Sequence, residues 1–164
     1  MTTIRKQSNT GRVLLIATGL LVIFWMLVIG SFSAQTGESS AGLSRQVAER
    51  AVDLEETLTG RSYSTAEHTK RVDMIHIPIR KLAHMTEYAI LVVLLELHFF
   101  CGRRRFLLLG WGIATAYAVT DELHQLFVDG RSGSVRDVCI DSAGACIGAI
   151  VVFLCGKLLA RRKR

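Results

Sequence analysis

Apolar and polar positions divide this chain into four long apolar runs, at about 13–32, 82–100, 106–127 and 137–159. Each approaches the roughly 20 residues that a helix needs to cross the hydrocarbon core of a bilayer. The pattern therefore predicts an all-α protein, a four-span transmembrane bundle, with residues 1–164 forming one domain. Between the first two runs, Leu43, Val47, Ala51, Leu54 and Leu58 recur at helical spacing with charged residues around them. This predicts an amphipathic helix outside the membrane, lying on the outer leaflet or docked over the bundle. Residues 63–77 are polar and mixed, and Pro78 suits the entry to the second membrane helix.

Composition agrees with a membrane protein. Half of the residues are hydrophobic and the mean hydropathy is +0.35, yet the net charge is +6. The basic residues sit in short runs beside the spans: Arg5, Lys6 and Arg12, then Arg103 to Arg105, then Arg161 to Arg164. Four crossings put all three runs on one side, which the positive-inside rule makes the cytoplasm, with both termini there. Such flanking runs meet anionic lipid headgroups rather than nucleic acid. A signal peptide shares the charged start, but the first apolar run exceeds the usual 7–15 residue core of one. The four cysteines form no close pair of the zinc-binding kind; Cys139 and Cys146, two helical turns apart, lie about 10 Å from each other, too far for a disulfide.

The predicted topology gathers ionisable groups at one depth, near the outer face. The end of the first span brings Ser33 and Gln35. The second span begins with Arg80, Lys81, His84, Glu87 and Tyr88, and the third ends with Asp121, Glu122, His124 and Gln125. Arg131 and Arg136 follow in the loop, and Asp137 and Asp141 open the fourth span. A charge inside a span is costly, so such groups are paired, face a polar cavity, or serve function. Glu96 and His98 fall near the opposite interface, within reach of water.

Three roles fit the cluster. His84, Glu87, Asp121 and His124 place imidazoles and carboxylates one turn apart, as metal-binding bundles do, so a divalent metal is one option. Acid–base chemistry at His84, Glu87, Asp121, Glu122 or His124 is a second, with Lys81 or Arg131 holding a phosphate. Opposite charges that only neutralise one another and lock the bundle are the third. A ligand pocket would draw on Lys81, His84, Tyr88, Gln125, Arg131, Asp137 and Asp141. Gly144 and Gly148 form a small-x-x-x-small stripe that lets another helix approach closely, within the chain or in a partner protein.

Taken in order, Phe32-Ser33-Ala34-Gln35, Arg80-Lys81-x-x-His84-x-x-Glu87-Tyr88, Asp121-Glu122-x-His124-Gln125, Gly130-Arg131, Asp137 and Asp141-x-x-Gly144 resemble the VanZ-like family. The sequence departs from the family pattern at Ala34, Asp129 and Asp141, the last adding a carboxylate. The resemblance implies an integral protein of the bacterial cell membrane with a role in the envelope. The namesake is linked to lowered susceptibility to teicoplanin, so a lipoglycopeptide or an envelope lipid is the implied partner, together with membrane lipids. The rival expectation is a membrane-embedded, metal-dependent hydrolase or transferase acting on an envelope lipid or peptide.

Overall fold

The computed structural model describes residues 9–102 and 107–161, which form five helices and no strand. They are α1 (Asn9–Ser33), α2 (Gly37–Thr59), α3 (Thr65–Cys101), α4 (Leu107–Gln125) and α5 (Val135–Arg161). Of the basic runs, Arg5, Lys6, Arg103 to Arg105 and Arg162 to Arg164 lie outside the described residues, as does Phe106 at the head of the third apolar run.

Three of these helices, α1, α3 and α5, are long and apolar enough to cross a membrane. The third apolar run forms α4, but its helix is shorter and its last turns carry Asp121, Glu122 and His124, so it does not reach the same apolarity. The surface fits lipid contact: Val13, Ile16, Leu20 and Leu27 on α1 are each more than half exposed. Such a surface would be an aggregation liability in water but is ordinary against lipid tails.

The predicted outer helix is present as α2. Thr36 caps its start by accepting a hydrogen bond from the Ser39 amide, and Gly60, in the left-handed region at φ 67°, ends it. Its docking face is not the leucine stripe. Ser44, Ala48 and Val52 are buried, and Ala48 and Val52 pack on Val72 of α3. The leucine-rich stripe beside them stays open, with Leu54 57% and Leu58 77% exposed. Small residues permit the close helix contact, and the larger apolar ones are left for the surroundings.

The largest difference from the sequence reading is at the start of α3. It begins at Thr65, not beside Pro78, because Ser64 and Glu67 form a reciprocal capping box. The segment 65–77 is helical, and Pro78 lies inside a continuous 37-residue helix. Proline removes one backbone donor from the ladder. Packing against α2 offsets that loss: Arg45 pairs with Asp73 at 2.7 Å, Arg71 with Glu55 at 3.0 Å, and His68 with Asp53 at 2.9 Å. Tertiary contacts here override a local signal that usually marks a helix boundary.

α5 runs parallel to α3, residue by residue. Gly144 lies against the backbone of Met85, and Gly148 against that of Ala89. A Cβ at either glycine would be driven into the facing carbonyl. The small-residue stripe is thus used within the chain, with α3 as its partner helix. α4 runs antiparallel between them. Thr115 hydrogen-bonds Ser142 at 2.9 Å, and Tyr117 donates to the Met26 carbonyl of α1 at 2.7 Å. At the end away from the polar cluster, Thr18 Oγ1 and His98 Nδ1 are 3.1 Å apart. Glu96 is only 4% exposed there, contrary to the expectation that it reaches water, and faces Gly110, where a Cβ would come 2.6 Å from its Oε1.

The close contact of α5 and α3 generates a stability prediction. Gly144→Leu or Gly148→Leu should destabilise the detergent-solubilised protein by about 2 kcal/mol or more, as overpacking at a backbone contact does. Thermal unfolding followed by circular dichroism measures this, and melting unchanged in both variants would contradict the packing described.

Candidate functional site

The polar groups expected at one depth meet where α1 ends, α4 ends, α5 begins and the middle of α3 passes. Their geometry starts with the loop 126–134 between α4 and α5. Phe127 and Val128 turn back onto the carbonyls of His124 and Gln125, and Gly130 adopts φ 69°, which only glycine takes without strain. This turn presses on the start of α2: the Gly37 amide donates to the Asp129 carbonyl at 3.0 Å, and a Cβ on Gly37 would strike the Gly130 carbonyl.

Arg131 fastens the turn to α1. Its Nε donates to the Gln35 carbonyl and its Nη2 to the Phe32 carbonyl, both at 3.0 Å. These carbonyls lie at the C-terminal end of α1, where the helix ladder runs out of donors and the Phe32 carbonyl also accepts from the Gln35 amide at 3.2 Å. The remaining nitrogen, Nη1, lies 3.5 Å from Gln125 Oε1, and Gln125 Nε2 donates to Asp121 Oδ2 at 3.3 Å. A cation, an amide and a carboxylate thus stand in line across the buried end of α4. Arg131 was expected to hold an anion; most of its donors hold helix ends.

The neighbouring charges are also engaged. Glu122 Oε2 accepts the Ser134 amide at 2.8 Å, placing a carboxylate at the N-terminus of α5, where the helix dipole favours negative charge. Lys81 of α3 and Asp137 of α5 form an ion pair. His84 Nδ1 and Glu87 Oε2, by contrast, face each other at 3.5 Å, and neither atom has a hydrogen-bond partner. Trp25 of α1 donates to the Glu87 carbonyl at 3.0 Å, holding α1 to this stretch of α3.

Two cavities open beside these residues. The first, of about 240 Å³, is polar and is lined by Arg80, Lys81, His84, Glu122, Gln125, Arg131, Asp137 and Asp141 among others. The second, of about 210 Å³, is lined by the apolar Phe32, Leu43, Val47, Ile79 and Ala83 together with polar residues that include Arg80, His84, Glu87 and Arg131. Of the expected ligand residues, Lys81, His84, Gln125, Arg131, Asp137 and Asp141 therefore line one cavity. Tyr88 and Asp121 are buried but line neither, and His124 lies on an exposed face.

Of the expected metal set, His84 and Glu87 face each other, Asp121 is buried and His124 lies on an exposed face. Among the described residues, the group of His, Cys, Asp or Glu side chains able to share one ion is Asp53, Glu56 and His68, on the α2–α3 hairpin, and the polar cluster contains no such triplet. Sequence reasoning missed Ala41, Ser44 and His76, which wall the polar cavity from above. For Ala41 and Ser44 the signal was the small-residue edge of α2, adjacent to the leucine stripe; His76 lies on α3.

An all-helical, multi-pass membrane protein with an ionisable cavity at one end of its bundle is the class that this fold and site define. The VanZ/LLP1 family model matches residues 18–156, from the middle of α1 to near the end of α5, and the chain belongs to that family. No curated protein and no solved structure matches it.

The Lys81–Asp137 pair should couple α3 to α5. Both side chains are about one-third exposed, so a double-mutant cycle with Lys81→Met and Asp137→Asn should give a coupling energy of about 1 kcal/mol. Additive effects of the two substitutions on unfolding would remove this pair from the forces that hold the site.

Proposed function

We propose that this protein spans the bacterial cell membrane four times, with both termini cytoplasmic, and that its polar cavity opens on the outer face. The parallel alignment of α3 and α5 supports the fourth crossing. If both cross in the same direction, the end of α3 and the start of α5 lie on opposite sides, and the segment between them must return. α4 is the helix in that segment. Its 19 residues extend about 28 Å, close to the thickness of a bilayer core. The basic runs flanking the spans support the orientation. α2 then lies at the outer surface, its open leucine stripe against lipid.

In this reading the cavity recognises the ionic part of an envelope amphiphile, and its occupancy lowers susceptibility to teicoplanin-type lipoglycopeptides. The observation that carries this is the mixed lining: Arg80, Lys81, His84 and Arg131 with Glu122, Asp137 and Asp141 around one chamber at the mouth of an apolar bundle. Ionisable groups are retained at a membrane protein's interior when a polar ligand or pathway uses them. Family membership supports the envelope role.

Expressed in a susceptible bacterium, the wild-type chain should raise the teicoplanin concentration that inhibits growth. His84→Ala, at an equal level in the membrane, should abolish the increase. The same protection from wild type and variant would exclude the cavity as its origin.

A further inference from the structure

The two cavities are not separate. They share Ser44, Arg80, His84 and Arg131, so the apolar slot and the polar chamber meet at a pair of guanidinium groups. The slot is lined by Phe32 of α1, Leu43 and Val47 of α2, and Ile79 and Ala83 of α3. Phe32, Leu43 and Val47 are 39%, 49% and 46% exposed, so the slot opens along the same surface as the leucine stripe of α2. The far chamber is lined by Glu122, Asp137 and Asp141, which do not border the slot.

The carboxylates Glu122, Asp137 and Asp141 therefore belong to the chamber, and the shared Arg80 and Arg131 border both spaces, while Glu87 borders the slot and Lys81 the chamber. Two observations at the polar end point to a ligand. Asp141 is 2% exposed, and its Oδ1 has no hydrogen-bond partner although it lines the chamber. A buried carboxylate oxygen without a donor is costly, and a donor brought by a ligand removes that cost. Arg80, at the junction, makes no hydrogen bond or ion pair with the described residues, so its guanidinium is available for an anion.

We propose that the site binds an aminophospholipid, the zwitterionic class with a primary amine beyond the phosphate. Its acyl chain occupies the slot and its phosphate meets Arg80 at the junction. Its ammonium then donates to Asp141, with Glu122 and Asp137 adding negative field. The tail–phosphate–amine sequence of the lipid matches the apolar side chains of the slot, the guanidinium shared by both spaces and the unpartnered Asp141 of the chamber. Guanidinium recognises phosphate through paired donors, and an ammonium offers the donor that Asp141 lacks. This rests on the reading of the cavity as an amphiphile site and names its occupant.

Native mass spectrometry of the full chain in detergent tests it, with dioleoyl phosphatidylethanolamine, phosphatidylglycerol and phosphatidylcholine supplied in equal amounts. Phosphatidylethanolamine should bind about tenfold more tightly than phosphatidylglycerol, the equivalent of one charge-assisted hydrogen bond. Phosphatidylcholine, whose quaternary ammonium cannot donate, should bind no better than phosphatidylglycerol. Asp141→Asn should erase the preference while leaving phosphatidylglycerol binding in place. Arg80→Gln, at the accessible junction, should weaken both lipids together, and it remains informative should the buried substitution impair folding. Soluble glycerophosphoethanolamine should compete poorly, because it lacks the tail. Equal binding of all three lipids, or a preference unaltered by both substitutions, overturns the proposal. Arg80-dependent binding of phosphatidylglycerol in preference overturns the aminophospholipid but keeps the amphiphile site. Lipid binding insensitive to Arg80, Asp141 and His84 alike overturns both.

Discussion

The seating of α5 on α3 at Gly144 and Gly148 is the constraint on which the site depends. Without side chains at these two positions the helices approach to backbone contact, and that contact fixes their register. The register then brings Asp137 beside Lys81 and sets Asp141, one turn before Gly144, into the chamber bordered by His84. In a bilayer there is no hydrophobic drive between helices, so close packing of this kind is what holds them together. A bulkier stripe would move α5 outward and open the polar end of the bundle.

Around that frame, polar groups are assigned by what each can reach. Arg131 satisfies the carbonyls that end α1, and Glu122 satisfies an amide at the start of α5. These are capping roles, performed by charged side chains from a loop and a neighbouring helix. They place the helix ends where a lipid-exposed backbone would otherwise lack partners. Arg80 at the junction and Asp141 in the chamber have no such task, and the buried His84 Nδ1 and Glu87 Oε2 also lack hydrogen-bond partners. The division between groups that build the site and groups that face its contents follows from this, and it separates Arg131 from the ligand role that its charge first suggested.

Much of this was legible in the sequence, for physical reasons that differ by element. The apolar lengths of α1, α3 and α5 and the GxxxG stripe act locally, so periodicity and spacing reveal them. The convergence of Lys81, His84, Glu122, Gln125, Arg131, Asp137 and Asp141 followed from topology alone. Helical continuity through Pro78 was not legible, because it depends on α2 packing against residues 65–77 rather than on propensity. The docking face of α2 was left open by the periodicity: Ser44, Ala48 and Val52 are inconspicuous beside Leu43, Val47, Leu54 and Leu58, yet small side chains allow the closer contact. The outer wall of the cavity, from Ala41 to His76, depends on both and was missed with them. Tyr88 and Asp121 share a helix face with cavity residues but sit deeper, a distinction of radius that spacing along a helix does not carry.

The proposed function requires an outer-facing cavity held at one end of a bundle that α4 crosses. Thiol labelling in intact cells addresses that claim most directly, using a membrane-impermeant maleimide. Cys139, Cys146 and Cys155 would first be replaced by serine. One variant keeps Cys101, at the end of α3, and a second replaces Cys101 by serine and carries Ser132→Cys, in the loop beside the cavity. The account predicts that the Ser132→Cys variant labels in intact cells, whereas Cys101 labels only after the membrane is permeabilised. Labelling of both from outside would mean that α4 does not cross, and labelling of Cys101 alone would put the cavity on the cytoplasmic side.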